Sequence, residues 1–239
     1  MPVNPQEEAA RLEAVAADSW YGRGANAASA RYAAAIFARH WRGRRCLELG
    51  PAEGEMSETL VQRFDDVTLV DGSAQFVDGL RRRFPRAAVV CSLFEDFRPA
   101  APFDTIILGH VLEHVVDPAA ILARCKEWLA PGGVVCACVP NARSLHRQAG
   151  VILGLLPHEH ALNEADVHHG HRRVYDPETF RADFRAAGLK IAIFGGYWLK
   201  PLSNAQLEAQ WTPEQLDAFM VLGERYPDVA CEIYVIAGG

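Results

Sequence analysis

The stretch CLELGPAEGEMSETL, Cys46 to Leu60, decides how this chain is read. Cys46 to Leu49 has the length and apolar character of a buried strand, and the end of the stretch is helix-forming. Gly50, Pro51 and Gly54 stand between. Glycine lets a backbone turn sharply and pass close to a ligand, so a strand–glycine–helix passage commonly holds something with its main chain. The middle position of a strict G-x-G-x-G turn is Ala52 rather than glycine. The turn is therefore either an ordinary tight connection or a loop for a ligand that needs no complete anion cradle.

Outward from this stretch, strand-like and helix-like segments alternate. RCLELG, VTLVD, AAVVC, FDTIILG and GVVCACVP read as strands, and Glu55 to Phe64, Ala74 to Phe84 and Pro118 to Leu129 as helices. Short apolar strands alternating with amphipathic helices predict βαβ units and a parallel sheet. Right-handed crossovers then wind helices onto both faces, and ligands of such sheets sit beyond the carboxyl ends of the strands. Two helical stretches, Pro5 to Ala17 and Ala27 to Trp41, precede the first strand. The segment 140–174 shows no strong periodicity and is rich in His, Arg and Asn, which is long for a structureless connection and points to function or a cap. A helix over Pro177 to Ala187 with Gly188 as C-cap, the strand LKIAIFGG, a helix near Pro213 to Arg225 and the strand CEIYVIA complete the chain.

The chain of 239 residues has room for one large domain, divided here into an N-terminal helical cap (1–41), a ligand-binding half (45–141) and an insert with a C-terminal hairpin (142–239). A net charge of −6 disfavours nucleic acid as partner. No apolar run of about 18 residues is present to cross a membrane. The N-terminus is acidic and lacks the basic start of a secretory signal. Six cysteines without a C-x-x-C pair, most of them in apolar strands, read as free thiols of a reducing, cytoplasmic protein. A homodimer is compatible with these features.

Four segments meet at one edge of such a sheet. The first is Glu48-Leu49-Gly50 with Gly54. The second is Asp71-Gly72-Ser73, about 20 residues on, where a carboxylate at a strand end is placed to accept two ribose hydroxyls. The third is SLFEDF, where Phe94 could stack on a base and Glu95 could bond its amino group. The fourth is GHVLEHV, expected to open the next helix. A lone glycine turn is a weak signal; these four in this order are a strong one.

LELGPAEG, LVDGS, SLFEDF, FDTIILGHVLEHVVDPAAIL and LAPGGVVCACVPN together resemble the class I S-adenosylmethionine-dependent methyltransferases. The likeness covers about residues 45–141, and the later part is similar to a bacterial small-molecule or glycan-tailoring branch. It implies a Rossmann-like α/β fold, doubly wound on a seven-stranded, mostly parallel sheet with an antiparallel last strand. It implies S-adenosylmethionine across the strand ends, with Glu48, Gly50, Ala52, His110 and Val111 near the methionine, Asp71, Gly72 and Ser73 at the ribose, and Phe94 and Glu95 around the adenine. Ala52 suits this cofactor, which carries no phosphate, and Glu53 would repel the pyrophosphate of a dinucleotide.

Methyl transfer is an in-line displacement that needs alignment and water exclusion, and a base only for a hydroxyl or protonated amine. Candidates on the acceptor side are Asn141, His171 and Tyr175 as catalytic or pocket-lining residues, with His146, Arg147, Asp166, His168, His169, Arg172 and Arg173 nearby. Tyr21 and Trp20 could cover the sulfonium. His114 reads as helix packing. H-E-H at 158–160 and H-H-x-H at 168–171 match no recognised ligand spacing, so no metal ligand is assigned. The expected reaction is methyl transfer to a small-molecule or sugar-like acceptor. Two alternatives remain: cyclisation of the cofactor's aminopropyl chain to a cyclic amino acid and methylthioadenosine, and a non-catalytic binding protein of the same fold.

Overall fold

The computed structural model describes residues 5–239; residues 1–4 of the expected N-terminal cap lie outside the described residues. In chain order the elements are α1 (Pro5–Ala17), α2 (Gly24–Ala38), β1 (Arg45–Leu49), α3 (Ser57–Arg63), β2 (Asp66–Asp71), α4 (Ala74–Arg83), β3 (Ala88–Cys91) and β4 (Phe103–Gly109). There follow α5 (Pro118–Trp128), β5 (Leu129–Pro140), α6 (Leu145–Ile152), α7 (Glu164–His168), α8 (Pro177–Ala186), β6 (Lys190–Tyr197), α9 (Asn204–Glu208), α10 (Pro213–Gly223) and β7 (Glu232–Gly238). The seven strands form one sheet in the order β3-β2-β1-β4-β5-β7-β6, and β7 alone runs antiparallel, between β5 and β6. This is the expected doubly wound architecture with a reversed last strand. No described helix is long and apolar enough to cross a membrane.

The period-2 alternation of the strands splits the core into two layers. Cys46, Leu69, Ile107, Cys136 and Cys138 face the layer that holds Ile36 and Phe37 of α2 and Leu60 of α3. Leu47, Val70, Ile106, Leu108, Val135 and Ala137 face the opposite layer, with Ile121 and Leu122 of α5 and Phe180 and Phe184 of α8. All six cysteines are free, five of them buried, and Cys91 at the sheet edge is exposed.

The helices begin where side chains satisfy their first amides. Ser73 accepts from Phe76 N at 3.3 Å to start α4. Asp117 caps α5, followed by Pro118, and Asp176 with Thr179 forms a capping box ahead of Pro177. One expectation shifts. GHVLEHV does not open a helix: residues 110–117 form turns, and α5 starts only at Pro118. The segment 140–174, read as too long for a structureless connection, is ordered: α6 and α7 fold around the buried Arg147. Its Nε donates to Glu159 O at 2.8 Å, Nη1 donates to Asp166 Oδ2 at 3.0 Å, and Nη2 donates to Ala161 O. A buried guanidinium with this many partners needs no hydrophobic period to fix the loop around it.

Candidate functional site

A cavity of about 240 Å³ opens at the carboxyl ends of β1, β2 and β4, roofed by α1. Of the residues expected on the cofactor side, Tyr21, Glu48, Gly50, Ala52, Asp71, Gly72, Ser73, Phe94, Glu95, His110 and Val111 line it. Four chain segments meet there because each follows a strand of the same sheet.

The loop after β1 turns through three residues in the left-handed region, Gly50 (φ +65°), Ala52 (φ +47°) and Gly54 (φ +86°). At Gly50 a side chain is excluded as well, since a Cβ would stand 2.8 Å from Val111 Cγ2. Ala52 adopts the conformation that a glycine would, at a cost of about 1–2 kcal/mol for an L-residue. Asp71 holds it there: Ala52 N donates to Asp71 Oδ2 at 3.2 Å, and Ser73 N donates to Oδ1 at 2.9 Å. Glu48 accepts a hydrogen bond from Ser57 Oγ. Burial pushes the Glu48 carboxyl up to about 7, against the hydrogen bond from Ser57 and with the charge of Asp71. Burial likewise pushes Asp71 up to about 6. Eight carboxylates (Glu8, Glu48, Glu53, Glu55, Asp71, Glu95, Glu113 and Glu232) line the cavity against the single guanidinium of Arg11. Such a wall attracts a cationic ligand and repels phosphate.

The N-terminal helix takes part directly. Glu13 accepts from Ser73 Oγ at 3.1 Å, and Tyr21 Oη donates to His169 O at 2.8 Å while its ring stacks on His169 at 4.9 Å. Trp20 points elsewhere, stacked on His168 at 3.7 Å.

At the far edge of the cavity His110 stands at φ +57°, a conformation that non-glycine residues rarely hold outside functional sites. Its Nδ1 lies 3.5 Å from Glu113 Oε1 and 3.7 Å from Glu232 Oε2, and its Nε2 lies 3.3 Å from Tyr197 Oη. Glu113 is completely buried. Burial favours its neutral form, yet the neighbouring His110 holds its pKa below the usual carboxylate range. Burial pushes His114 down to about 3 and His169 down to about 4, so both are neutral imidazoles. His171 lines the same edge, with Nδ1 3.0 Å from Asp166 Oδ1.

Of the three residues expected to serve catalysis, only His171 reaches the cavity. Asn141 is spent on the scaffold: its Nδ2 donates to Asp228 O at 3.1 Å and Ala230 O at 2.8 Å, and its Oδ1 accepts from Arg143 N at 3.0 Å. Tyr175 is a core residue whose hydroxyl donates to Asp183 Oδ2 at 2.8 Å, and burial raises its pKa far from any use as a base. The two are joined by an isolated β-bridge that fastens the insert to the end of β5. The arginine pair is engaged too. Arg172 Nε donates to His114 O at 2.7 Å and its Nη2 pairs with Glu8 Oε2 at 2.6 Å, and Arg173 donates to the carbonyls of Leu112 and Val116 at 2.8 and 3.0 Å, so both clamp the 110–117 turn. His146 is partly buried, and desolvation drives it towards neutrality. Glu113 and Glu232 are cavity-edge residues that sequence patterns do not single out, as is Tyr197, buried behind His110. The adjacent Glu113-His114 pair, at the end of a buried strand, is the one signal that would have pointed there.

A family described as "Methyltransferase domain" matches residues 21–192. The chain belongs to the S-adenosylmethionine-dependent methyltransferase family. A ubiquinone biosynthesis O-methyltransferase of Idiomarina loihiensis is 29% identical over 170 residues, covering 68% of each chain. A trans-aconitate 2-methyltransferase of Rhizobium etli is 23% identical over 172 residues, covering 70% of this chain and 66% of its own. Among solved structures, the N-methyltransferase NodS of Bradyrhizobium japonicum, in complex with S-adenosyl-L-homocysteine, superposes with a TM-score of 0.61 over 98% of both chains at 14% identity, a likeness of fold. The methyltransferase's own cavity suits the family's cofactor: an acidic wall for a sulfonium cation and a close-approach glycine.

Proposed function

We propose that this methyltransferase places a methyl group on a hydroxyl oxygen of a small molecule. The observation that carries the reading is the union, in one cavity, of the whole cofactor-side set with the edge formed by Glu113, His114 and His171. Relatives that methylate small molecules, among them one named an O-methyltransferase, support it. When bound, S-adenosylmethionine supplies an electrophilic methyl carbon on sulfur. Asp71 then accepts from the ribose hydroxyls, Phe94 and Glu95 take the adenine, and Glu48, Gly50, Ala52, His110 and Val111 surround the methionine end. Tyr21, tied to His169, closes the roof and excludes water. On the acceptor side Asp166 accepts a hydrogen bond from His171 Nδ1–H, which leaves the Nε2 lone pair to activate the acceptor hydroxyl. Arg147 holds Asp166 in turn and is a positioning residue.

Calorimetry with S-adenosylmethionine and S-adenosylhomocysteine tests the cofactor side, and absence of binding overturns it. Release of S-adenosylhomocysteine across a panel of phenols, catechols, hydroxy acids and amines tests the acceptor. Turnover confined to amines, or methylthioadenosine formed from S-adenosylmethionine alone, would overturn hydroxyl transfer.

A further inference from the structure

We propose that Glu113, His114 and His171 bind a divalent first-row transition-metal ion at the edge of the cofactor cavity, where the ion takes the acceptor's hydroxyl oxygen. The proposal deepens the hydroxyl-transfer reading and rests on it for the role of the ion, though not for its binding.

Glu113 carries the argument. It is fully buried, and among the described residues neither carboxylate oxygen has a hydrogen-bond partner. The nearest imidazole nitrogens are His110 Nδ1 at 3.5 Å and His114 Nε2 at 4.0 Å, both from Oε1. A buried carboxylate without donors is expensive, and proteins retain one mainly where it is paired or coordinates a metal.

The two histidines are set as ligands by what they do with their other nitrogen. His114 Nδ1 lies 3.4 Å from Gly170 O, and His171 Nδ1 lies 3.0 Å from Asp166 Oδ1. Both partners are pure acceptors, so each Nδ1 carries the proton and each Nε2 keeps its lone pair. A carboxylate or carbonyl behind a histidine is the usual outer support of a metal ligand. Here the support is itself anchored, since Arg147 and Asn163 N both hold Asp166.

The three groups converge. One ligand atom from each lies within 4.8 Å of the other two. Bonds of about 2.0–2.2 Å to an ion place its ligand atoms roughly 3–3.5 Å apart, so an ion would draw this set in by about an ångström. Arg172 N donates to Glu113 O at 2.8 Å, which ties the strand-end turn to the segment that carries His171. Two imidazoles and one carboxylate suit zinc, cobalt, iron(II) or manganese rather than calcium. Three protein ligands on a cavity wall leave coordination positions open for substrate oxygen.

An ion there lowers the pKa of an oxygen it binds. With His171 Nε2 bound to the ion, the ion activates the hydroxyl in place of His171 as a direct base: the hydroxyl proton goes to solvent, the freed oxygen pair forms the O–CH3 bond, and the S–CH3 pair stays on sulfur. The positive charge of the sulfonium thus leaves as the proton.

The test uses the full chain, stripped with chelator and titrated with zinc chloride alone by calorimetry. One ion per chain is expected. Glu113→Gln and His171→Ala should each weaken binding at least tenfold, while His158→Ala, at an exposed position, leaves it unchanged. Absence of stoichiometric binding, or equal binding in Glu113→Gln, overturns the proposal. Should the variants fail to fold, copper(II) bound to the wild type decides by electron spin-echo spectroscopy: two imidazole nitrogens are expected, and fewer overturn the site. A chain that binds zinc but no S-adenosylhomocysteine keeps the site and refutes the cofactor reading; the reverse result refutes only the metal.

Discussion

The two sides of the cavity are built in different ways. The cofactor side consists of short loops, each following directly on a strand, so a residue's place in the loop is set by its distance from the strand end. The acceptor side is built from the turn 110–117 and the helical insert 140–174, which approach from separate parts of the chain and are fastened by buried polar groups. Local geometry makes the first side robust. A few charged contacts make the second side dependent on single residues.

The strongest way to break that contrast is Arg147→Ala. The substitution leaves Asp166 buried without its guanidinium and strips three contacts from the loop. Removing one partner of a buried ion pair costs about 3–5 kcal/mol. The prediction is a melting temperature lower by about 6–20 °C for a chain of this size, from about 2–4 °C per kcal/mol. Methyl transfer should fall through kcat more than S-adenosylmethionine affinity falls, because the damage lies behind His171. An equal loss of both would show that the two sides are not separate.

The cofactor side is sharpened by pH. Glu48 has a pKa of about 7 in the folded chain against an ordinary 4.5, raised chiefly by burial. A carboxyl with a raised folded pKa binds its proton more tightly in the native state. It is neutral to stability below pH 4.5 and increasingly destabilising as pH rises from 4.5 through 7. At 1.36 kcal/mol per unit the penalty above pH 7 is about 3 kcal/mol. Glu48→Gln should therefore unfold at higher denaturant than wild type at pH 8 and show little advantage at pH 4.5. A constant difference across that range would refute the assignment.

The contrast also explains what the sequence makes legible. Gly50, Asp71, Phe94 and His110 are readable because a strand, its end and the next residues form one local pattern whose spacing the sheet imposes. His171 is readable only as one histidine among several. Glu113 and Asp166 matter through partners distant in the chain, and no periodicity marks a carboxylate whose function is to face a histidine from another segment. Asn141 and Tyr175 mislead for the same reason. They are polar residues in the right neighbourhood, and only three-dimensional contacts show that their polar atoms are consumed by Asp228, Ala230 and Asp183. Tyr175→Phe separates neighbourhood from role. It should cost about 1–2 kcal/mol of stability by removing the bond to a partly buried Asp183, and leave kcat/KM of the folded enzyme within about twofold. A loss comparable to that of His171→Ala would place the phenol back in the chemistry.

The smallest effect is expected at Ala52, and its sign is informative. In the left-handed region an alanine costs about 1–2 kcal/mol. Glycine removes that strain and returns about 0.4–1 kcal/mol as extra freedom in the unfolded chain. Ala52→Gly should then stabilise the ligand-free protein by roughly 0.5–1 kcal/mol. The same freedom loosens a loop that Asp71 holds in place through Ala52 N. Ordering it on binding should weaken S-adenosylmethionine affinity by about two- to fivefold, at 1.4 kcal/mol per factor of ten. Stability and affinity moving in opposite directions would show that alanine stands in the turn because it keeps the loop ready for the cofactor, at a small cost in strain. If both rise together, the strain serves nothing in binding, and the rest of the sheet alone determines the turn.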